Sequence, residues 1–297
     1  VDLSSLTCID DFTIVGNDLT IDSHHALLLL LTCSSEGSLI IFRDSDANDF
    51  CATGETVVND LYISPIDSGA VDLSCITEIT GQVEIEFSKA ISIDISNASS
   101  IGAGLHIHNN YDTESIDLSS LSSIGGTFDL KANRDLSTLH LDSVEVVEGG
   151  VDLNSNQSLT EFYAPSLVQI EGDLQFNSNE ALELIDLPGL VEIEGYFGLD
   201  YHDQLKTVSM PSLTEIGRYV DMYANDVVEL IDLSGLVEVG SFLELDDLYA
   251  LEEFRLDSLQ VVNGTFHIRY ASELSVLSLP ALEEVSGRFN LSNNSAM

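Results

Sequence analysis

Basic residues are scarce in this chain. Nine Lys and Arg stand against 51 Asp and Glu among 297 residues, which gives a formal net charge of −42. Nucleic acids and anionic membrane surfaces are both held through Lys and Arg, so the composition argues against both as partners. The acidity is expected to keep the protein soluble, and weak calcium binding through carboxylate oxygens is the sharper alternative.

Long apolar runs and chemical motifs are missing as well. The longest apolar run, Ala26–Leu31, is far shorter than the ~20 residues that span a bilayer, so we predict no membrane insertion of this segment. The chain has no C-x-x-C pair and no recognisable nucleophile or phosphate motif, and we predict neither a cofactor nor an enzymatic activity. A polysaccharide-active β-helix enzyme is a minor alternative, because carboxylates are abundant.

What the chain has instead is a repeat. Nine copies of a 23-residue unit run from Ile91 to Met297 without insertion or deletion. When the copy Glu183–Leu205 is numbered 1 to 23, apolar residues recur at positions 3, 5, 8, 11, 15, 17 and 23, and position 11 is β-branched in every copy. A fixed period of this length predicts a solenoid, in which each coil buries its apolar residues by stacking on its neighbours.

The pattern within each unit predicts three short strands per coil. Apolar and polar residues alternate at positions 3–5 and 15–17, and position 11 marks the third strand. Glycine at position 13 of most copies is expected at a tight corner. The result is an all-β parallel β-helix, with a leucine-rich-repeat horseshoe as the alternative. Asn recurs at position 20, where we expect an internal ladder that satisfies the backbone of the turns.

The regular coils have a less regular neighbour. We predict a cap over residues 1–68 that carries degenerate repeats and disulfides, followed within the same domain by a ten-coil solenoid over residues 69–297. The polar stretch Arg43–Thr56 is expected to be a protruding loop. The repeat reaches Met297 without a shielding segment, so we expect an uncapped end that is available for self-association.

Four cysteines lie in the first quarter of the chain, an even number that predicts two disulfides and an oxidising compartment. Cys8 and Cys33 are 25 residues apart and Cys51 and Cys75 are 24 apart, each close to one coil. We therefore predict those two pairs, with Cys33–Cys51 plus Cys8–Cys75 as the alternative.

Four sequons for N-glycosylation begin at Asn97, Asn156, Asn263 and Asn293. Asn263 at the corner position 12 is expected to be the best acceptor, and Asn97 and Asn293 are expected to carry glycans too. Asn156 occupies position 20 of the predicted ladder, so it is expected to stay bare.

The cadence S-L-P-x-L-x-x-I-x-G-x-[FL]-x-[LI]-x-x-N-x-x-L, as read over Ala164–Asn179, resembles the receptor L-domain. That fold is the right-handed β-helix of insulin- and EGF-type receptor ectodomains. The chain resembles more closely the fungal GPI-anchored cell-wall proteins of the sporulation and wall-integrity type, over residues 60–297. The matching motifs are structural. The resemblance implies an extracellular, glycosylated, non-enzymatic surface protein.

Residues one repeat apart should stack ~4.8 Å apart on one face of a β-solenoid, so its outward columns can be read from the sequence. Positions 14, 16 and 18 of the central coils bring together a candidate ligand-binding set of rings and carboxylates: Tyr196, Tyr219, Phe242, Tyr223, Asp221, Glu244 and Asp246. Such a set suits recognition of a sugar or docking of a protein. Cross-strand packing that only stabilises the sheet is the alternative.

Two further outward groups invite metal binding. Glu192, Glu215 and Glu238 stack at position 10 and are weak calcium candidates. His106 and His108 point to the same side of one strand, a spacing that suits a transition metal. No third ligand is evident from the sequence, so a bare surface pair is expected.

Together these features predict an extracellular structural or adhesive component of a cell surface, cell wall or matrix. Glycans or other surface proteins are the expected partners. A receptor-type ectodomain that binds carbohydrate or protein is the alternative, and the exposure of the aromatic column separates the two.

Overall fold

The computed structural model describes residues 37–66 and 69–297. Within them the chain forms a solenoid in which each strand pairs in parallel with the equivalent strand of a neighbouring coil. The register joins residues one repeat apart, as in the pairs Ile193 with Ile216 and Phe197 with Val220. The parallel β-solenoid predicted from the repeat is confirmed.

One side of the solenoid is a twelve-stranded sheet, here called the long sheet. Buried and outward-facing residues alternate along its strands, because successive side chains of a strand point to opposite faces. Two of its strands precede residue 69, so the stacking extends into residues 37–66. The strands are Leu39–Ile41, Leu61–Ile63, Val83–Glu86, Leu105–His108, Phe128–Lys131, Val151–Asn154, Leu174–Asn177, Phe197–Asp200, Val220–Tyr223, Leu243–Asp246, Phe266–Arg269 and Phe289–Ser292.

The second side, here called the short-strand sheet, has eleven strands of two residues each around position 11. They begin with the pair Val57–Val58 and Glu78–Ile79. The remaining strands are Ser100–Ile101, Ser123–Ile124, Val146–Val147, Gln169–Ile170, Glu192–Ile193, Glu215–Ile216, Glu238–Val239, Val261–Val262 and Glu284–Val285.

The third side is divided into a four-stranded and a six-stranded sheet. Its strands cover positions 2–4, one residue earlier than predicted, as in Leu184–Asp186. This side is built of strands in the described residues, as in a β-helix, and not of the helices of a horseshoe. The four strands are Ala70–Asp72, Ser92–Asp94, Ser115–Asp117 and Thr138–His140; the six are Glu161–Tyr163, Leu184–Asp186, Thr207–Ser209, Leu230–Asp232, Glu253–Arg255 and Val276–Ser278.

The three sides enclose one continuous apolar core. Ile193 at position 11 and Phe197 at position 15 are both fully buried, which confirms the predicted inward register. The position-20 amides are inside as well. Asn156, for example, is fully buried, and its side-chain N–H donates to the carbonyl of Leu130 at 2.9 Å. The predicted asparagine ladder is therefore present.

The corner glycines provide space for the neighbouring coil. A Cβ added to Gly172 at position 13 would lie 2.5 Å from the backbone nitrogen of Gly150, one coil earlier, so only glycine fits there. The left-handed turn lies instead at position 19, where non-glycine residues have φ between 53° and 62°: Phe87, Asn109, Ala132, Ser155, Ser178, Tyr201, Ala224, Asp247, Tyr270 and Asn293.

The prediction that Arg43–Thr56 is a loop is wrong, because this stretch contains the ten-residue helix Asp44–Thr53. The Asp46 carboxylate accepts hydrogen bonds from the backbone N–H groups of Phe42 and Arg43, at 3.1 and 3.0 Å, and so satisfies the start of the helix. Gly54, with φ of 80°, ends it. No helix within residues 37–66 and 69–297 has the length and apolar character needed to cross a membrane.

A disulfide between Cys51 and Cys75 ties this helix to the solenoid, with a Cα–Cα distance of 5.6 Å. This pair was predicted from the spacing of about one coil, and it excludes the alternative pairing of Cys51 with Cys33. Cys8 and Cys33 lie outside the described residues.

Candidate ligand-binding face

The predicted aromatic column is a tight stack of rings. Tyr196, Tyr219 and Phe242 directly precede successive strands of the long sheet. Their ring centroids are 4.6 and 4.5 Å apart, with interplanar angles of 8° and 11°. All three side chains are half-buried. Both faces of Tyr219 are covered by its neighbours, so this ring offers a ligand only its edge. The geometry favours the cross-strand packing alternative for these three rings.

Neighbouring groups fix the stack in place. The amide of Gln175 donates a hydrogen bond to the hydroxyl of Tyr196. The Arg218 guanidinium lies 5.6 and 5.4 Å from the ring centroids of Tyr196 and Tyr219. Burial, reinforced by the charge of Asp173, raises the pKa of Tyr196 to about 12. The stack is therefore a fixed neutral border of the long sheet.

The exposed rings of the long sheet lie along its other edge. Tyr223 is 39% exposed, and it meets Tyr201, which is 56% exposed, in an edge-to-face contact at 5.5 Å and 85°. Sequence reasoning found Tyr223 but missed Tyr201, because position 19 looked like a corner without function. We call the exposed rings at positions 18 to 21 the tyrosine edge: Tyr111, Tyr201, Tyr223, Tyr249 and Tyr270.

A shallow depression of about 300 Å³ lies on the same corner of the solenoid. Its lining combines Tyr111 of the tyrosine edge with Ala132 and with three polar side chains of the next two coils, Arg134, Ser155 and Gln157. Hydroxyl, amide and guanidinium groups beside a ring are the elements of a polar ligand site.

The predicted carboxylates do converge between the two aromatic edges. Asp221 and Glu244 are direct neighbours on adjacent strands. Partial burial, followed by the charges of Glu244 and Asp246, raises the pKa of Asp221. Asp200, which sequence reasoning did not select, completes the cluster: burial and then the charge of Asp221 raise its pKa to about 6. Asp246 is the neutralised member, with Arg269 at 2.5 Å.

The same face holds polar atoms that the protein leaves without a partner. Among the described residues, six buried side-chain nitrogen or oxygen atoms have no hydrogen-bond partner. All six belong to position 16 or 18 of the long sheet: His108 Nε2, Asp152 Oδ1, Asn154 Oδ1, Asn177 Oδ1, Asp200 Oδ1 and Asp246 Oδ1. Buried polar atoms ordinarily have partners. In the described residues these unpartnered atoms are therefore concentrated on one face, the outer face of the long sheet.

The calcium candidates stay apart. Glu192, Glu215 and Glu238 are paired in register along the short-strand sheet. In the described part of the chain, only His106, His108 and Asp129 bring three possible metal-ligand atoms close together. The three glutamates do not form such a group. Asp129 thus stands beside the two histidines as a third residue that could ligate a metal, where the sequence predicted a bare pair.

The sequons divide between surface and interior. Asn97, Asn263 and Asn293 are exposed. Asn156 is fully buried, and its side-chain nitrogen lies within the ladder. Glycan attachment at the first three stays a prediction, and the fold offers no room for one at Asn156.

Comparisons of the chain with known protein families, curated proteins and solved structures give no match. The likeness to receptor L-domains and fungal cell-wall proteins therefore stays a prediction from the sequence cadence.

Proposed function

We propose that this protein is a non-catalytic, extracellular structural and adhesive component of a cell surface, cell wall or matrix. In this proposal the outer face of its long sheet holds a glycan chain. The row of shielded acceptor oxygens at positions 16 and 18 carries the proposal. Successive coils repeat about every 4.8 Å, so the row presents acceptors at regular intervals to a chain that carries hydroxyl donors at regular intervals.

The tyrosine edge supports a sugar ligand. Its rings are 39–56% exposed, which leaves ring surface to cover the C–H face of a sugar. Tyr201 directly follows Asp200, and Tyr223 pairs with Asp200 across adjacent strands. A sugar that stacks on either ring therefore has a carboxylate acceptor beside its hydroxyl groups.

Other features support an extracellular setting. The Cys51–Cys75 disulfide fits an oxidising compartment, since cytosolic proteins rarely keep such bonds. Three exposed sequons suit a secreted chain. The resemblance of the repeat cadence to receptor L-domains and fungal cell-wall proteins points the same way.

A receptor-type ectodomain that binds a basic protein is the second candidate, and one specific observation favours it. The charge of Asp221 helps to raise the pKa of Asp200, and the charges of Glu244 and Asp246 help to raise that of Asp221. Neither Asp200 nor Asp221 has an ion pair with Lys, Arg or His in the described residues. A cationic side chain from a partner would relieve that repulsion. Binding would then weaken with salt and as the pH falls through about 6.

A glycan array probed with the purified chain tests the proposal, with three double variants beside wild type. Tyr201→Ser with Tyr223→Ser should lower glycan binding roughly tenfold, because each aromatic contact contributes ~0.5–1.5 kcal/mol. Tyr219→Ala with Phe242→Ala should retain binding, since the stack covers both faces of Tyr219 and one face of Phe242. Glu215→Gln with Glu238→Gln, on the short-strand sheet, is the matched control and should bind as wild type.

Two results would contradict the glycan proposal. One is equal binding by wild type and the Tyr201/Tyr223 variant. The other is binding to basic proteins alone, abolished by salt, which would support the receptor-type candidate.

A further inference from the structure

A group of side chains that could ligate a metal lies on the same outer face of the long sheet, several coils before the carboxylates Asp200 and Asp221. His106 and His108 stand on the strand Leu105–His108, and Asp129 is the register partner of His106 on the next strand. One donor atom from each of the three residues lies within 4.8 Å of the other two. This proximity is set by the fold, because the strand pairing stacks Asp129 on His106.

The geometry points to a binding site for a divalent transition-metal ion, with Zn²⁺ as the ion that fits best and with His106, His108 and Asp129 as its ligands. Two imidazole nitrogens and one carboxylate oxygen form a ligand set that zinc accepts, with a fourth position left for water or another donor. Calcium is a poor candidate here, because it prefers six to eight oxygen ligands. This inference does not depend on the proposed glycan function, although both concern the outer face of the long sheet.

The distances suit a tetrahedral ion. Metal–ligand bonds of ~2.0–2.2 Å place the ligand atoms of a tetrahedral site roughly 3.3–3.5 Å apart. His106 Nδ1 already lies 3.3 Å from Asp129 Oδ2. The His106 and His108 rings meet edge-on, with centroids 5.9 Å apart. Both side chains are partly exposed, so a small rotation of His108 brings its nitrogen to bonding distance.

His108 supplies an independent indication of a ligand. Its Nδ1 lies 3.5 Å from Glu86 Oε1, and its Nε2 is buried without a hydrogen-bond partner. A proton on Nδ1, facing Glu86, leaves the Nε2 lone pair free. A carboxylate behind one ring nitrogen and a metal on the other is the usual arrangement of a metal-bound histidine, since the carboxylate fixes the tautomer and orientation of the ring.

Gly104, Lys131 and Asp152 are the neighbours that affect the orientation of His106 and Asp129. A Cβ on Gly104 would lie 2.4 Å from His106 Nε2, so glycine at this position lets the imidazole lie across the strand. Lys131 is the competing cation, with its Nζ 3.4 Å from Asp129 Oδ1. Asp152 holds that ammonium more closely, at 2.7 Å, and the contact leaves Asp129 Oδ2 facing His106.

Calorimetric zinc titration of the untagged, full chain in millimolar calcium tests the site. Calcium occupies the many surface carboxylates but does not compete for imidazole, so a remaining zinc site reports histidine ligation. We expect one zinc ion per chain at micromolar affinity or better. Cobalt should bind in its place and give the visible absorption of a tetrahedral complex.

His106→Ala with His108→Ala should weaken zinc binding by at least about 100-fold, beyond the 10–100-fold loss typical of outer partners of a metal site. Asp129→Asn keeps the shape of the side chain and should weaken binding at least about tenfold. His267→Ala is the matched control, at position 16 of the same sheet, and should bind zinc as wild type. Thermal unfolding without metal checks that each variant folds.

The proposal would be overturned if wild type bound no zinc in calcium, or if the His106/His108 variant bound zinc fully. His24 and His25 form another histidine pair, outside the described residues. Loss of zinc binding in a His24→Ala/His25→Ala variant, with His106 and His108 intact, would also overturn it. If the double histidine variant does not fold, the Asp129→Asn variant decides, and zinc binding equal to that of wild type would overturn the proposal.

Discussion

Asparagine side chains differ in hydrogen bonding between the interior of the coils and the outer face of the long sheet. Asn156, inside, donates to the Leu130 carbonyl and accepts from the backbone N–H of Asn133 at 3.2 Å. Asn154 and Asn177, outside, each keep a buried side-chain oxygen without a partner. The inward amides complete the fold, whereas the outward amides stay available to a ligand.

His202 shows what the interior requires. It takes the place of Asn in the ladder, with Nδ1 3.0 Å from Asn225 Oδ1 and Nε2 3.4 Å from Asn179 Nδ2. An amide oxygen only accepts, so Nδ1 carries the proton and Nε2 accepts from Asn179. His202 therefore replaces the amide by donating to Asn225 and accepting from Asn179. On the outer face, His106 and His108 are the imidazoles of the proposed zinc site.

The largest expected effect comes from placing a charge inside. Ile193 is fully buried between Ile170 and Ile216, so Ile193→Asp buries a carboxylate without a partner. We expect a loss of roughly 3–5 kcal/mol in the free energy of unfolding, measured by chemical denaturation. Glu194→Asp, on the exposed side of the same corner, is the control. Unchanged unfolding of the Ile193 variant would mean that position 11 faces water.

Breaking the ladder should cost less. Asn156→Ala leaves the Leu130 carbonyl and the Asn133 N–H unpaired, at a cost of roughly 2–4 kcal/mol, since each buried unpaired group costs ~1–3 kcal/mol. Asn154→Ala is the matched substitution two residues away on the outer face, and its effect should stay within about 0.5 kcal/mol. Equal losses in the two variants would remove the distinction between the inner and outer amides.

Removing the aromatic stack should lower the free energy of unfolding by less than breaking the ladder does. Tyr219→Ala with Phe242→Ala deletes two stacked contacts, each worth ~0.5–1.5 kcal/mol, so we expect a loss of about 1–3 kcal/mol in thermal or chemical unfolding. Full stability combined with lost ligand binding would show that the stack is itself the binding site, as the sequence alone predicted.

The smallest effect is a gain in stability. The pKa of Asp200 is raised to about 6, so the folded protein holds this proton more tightly than the unfolded chain does. The associated stability is present below the unfolded pKa near 4 and is lost as the pH rises through about 6. Asp200→Asn should therefore stabilise the protein above pH 6 by on the order of 1–2 kcal/mol, after allowance for solvent screening.

The test for Asp200 is denaturation at several pH values. Asn already occupies position 18 in the two preceding coils, so the substitution fits the site. Asp226→Asn at the exposed corner is the control. A variant that is less stable than wild type above pH 6 would show that the Asp200 carboxylate is stabilised by a partner.

Much of the fold could be predicted because burial repeats with the sequence. The β-branched residue at position 11 lies in the core of every regular coil but the last, where Val285 is partly buried, and Asn at position 20 forms the ladder. The helix Asp44–Thr53 was missed because a polar stretch without an apolar stripe looks like a loop. Its capping carboxylate at Asp46 and the glycine at its end were the available signals.

For the outer face, the sequence predicted which residues are neighbours but not how their side chains are oriented. The repeat places Tyr196, Tyr219 and Phe242 in one column, but side-chain torsions decide that the rings stack and hide their faces. Tyr201 is turned outward by its left-handed backbone, with φ of 60°, which the period does not encode. Asp129 contacts His106 through one carboxylate oxygen while Lys131 lies nearer to Asp152, an arrangement that spacing alone cannot show.

Among the described residues, each buried polar side chain of the coil interior has a hydrogen-bond partner, and the protonation of the His202 ring measures this property. Burial lowers its pKa to about 4, so the neutral ring stabilises the fold above the unfolded pKa of about 6.5, and roughly 3 kcal/mol of this stability is lost as the pH falls through 4. Nitrogen-15 NMR of the imidazole should show a neutral ring protonated on Nδ1 down to about pH 4. A ring protonated on Nε2, or one that titrates near its ordinary pKa, would contradict the account.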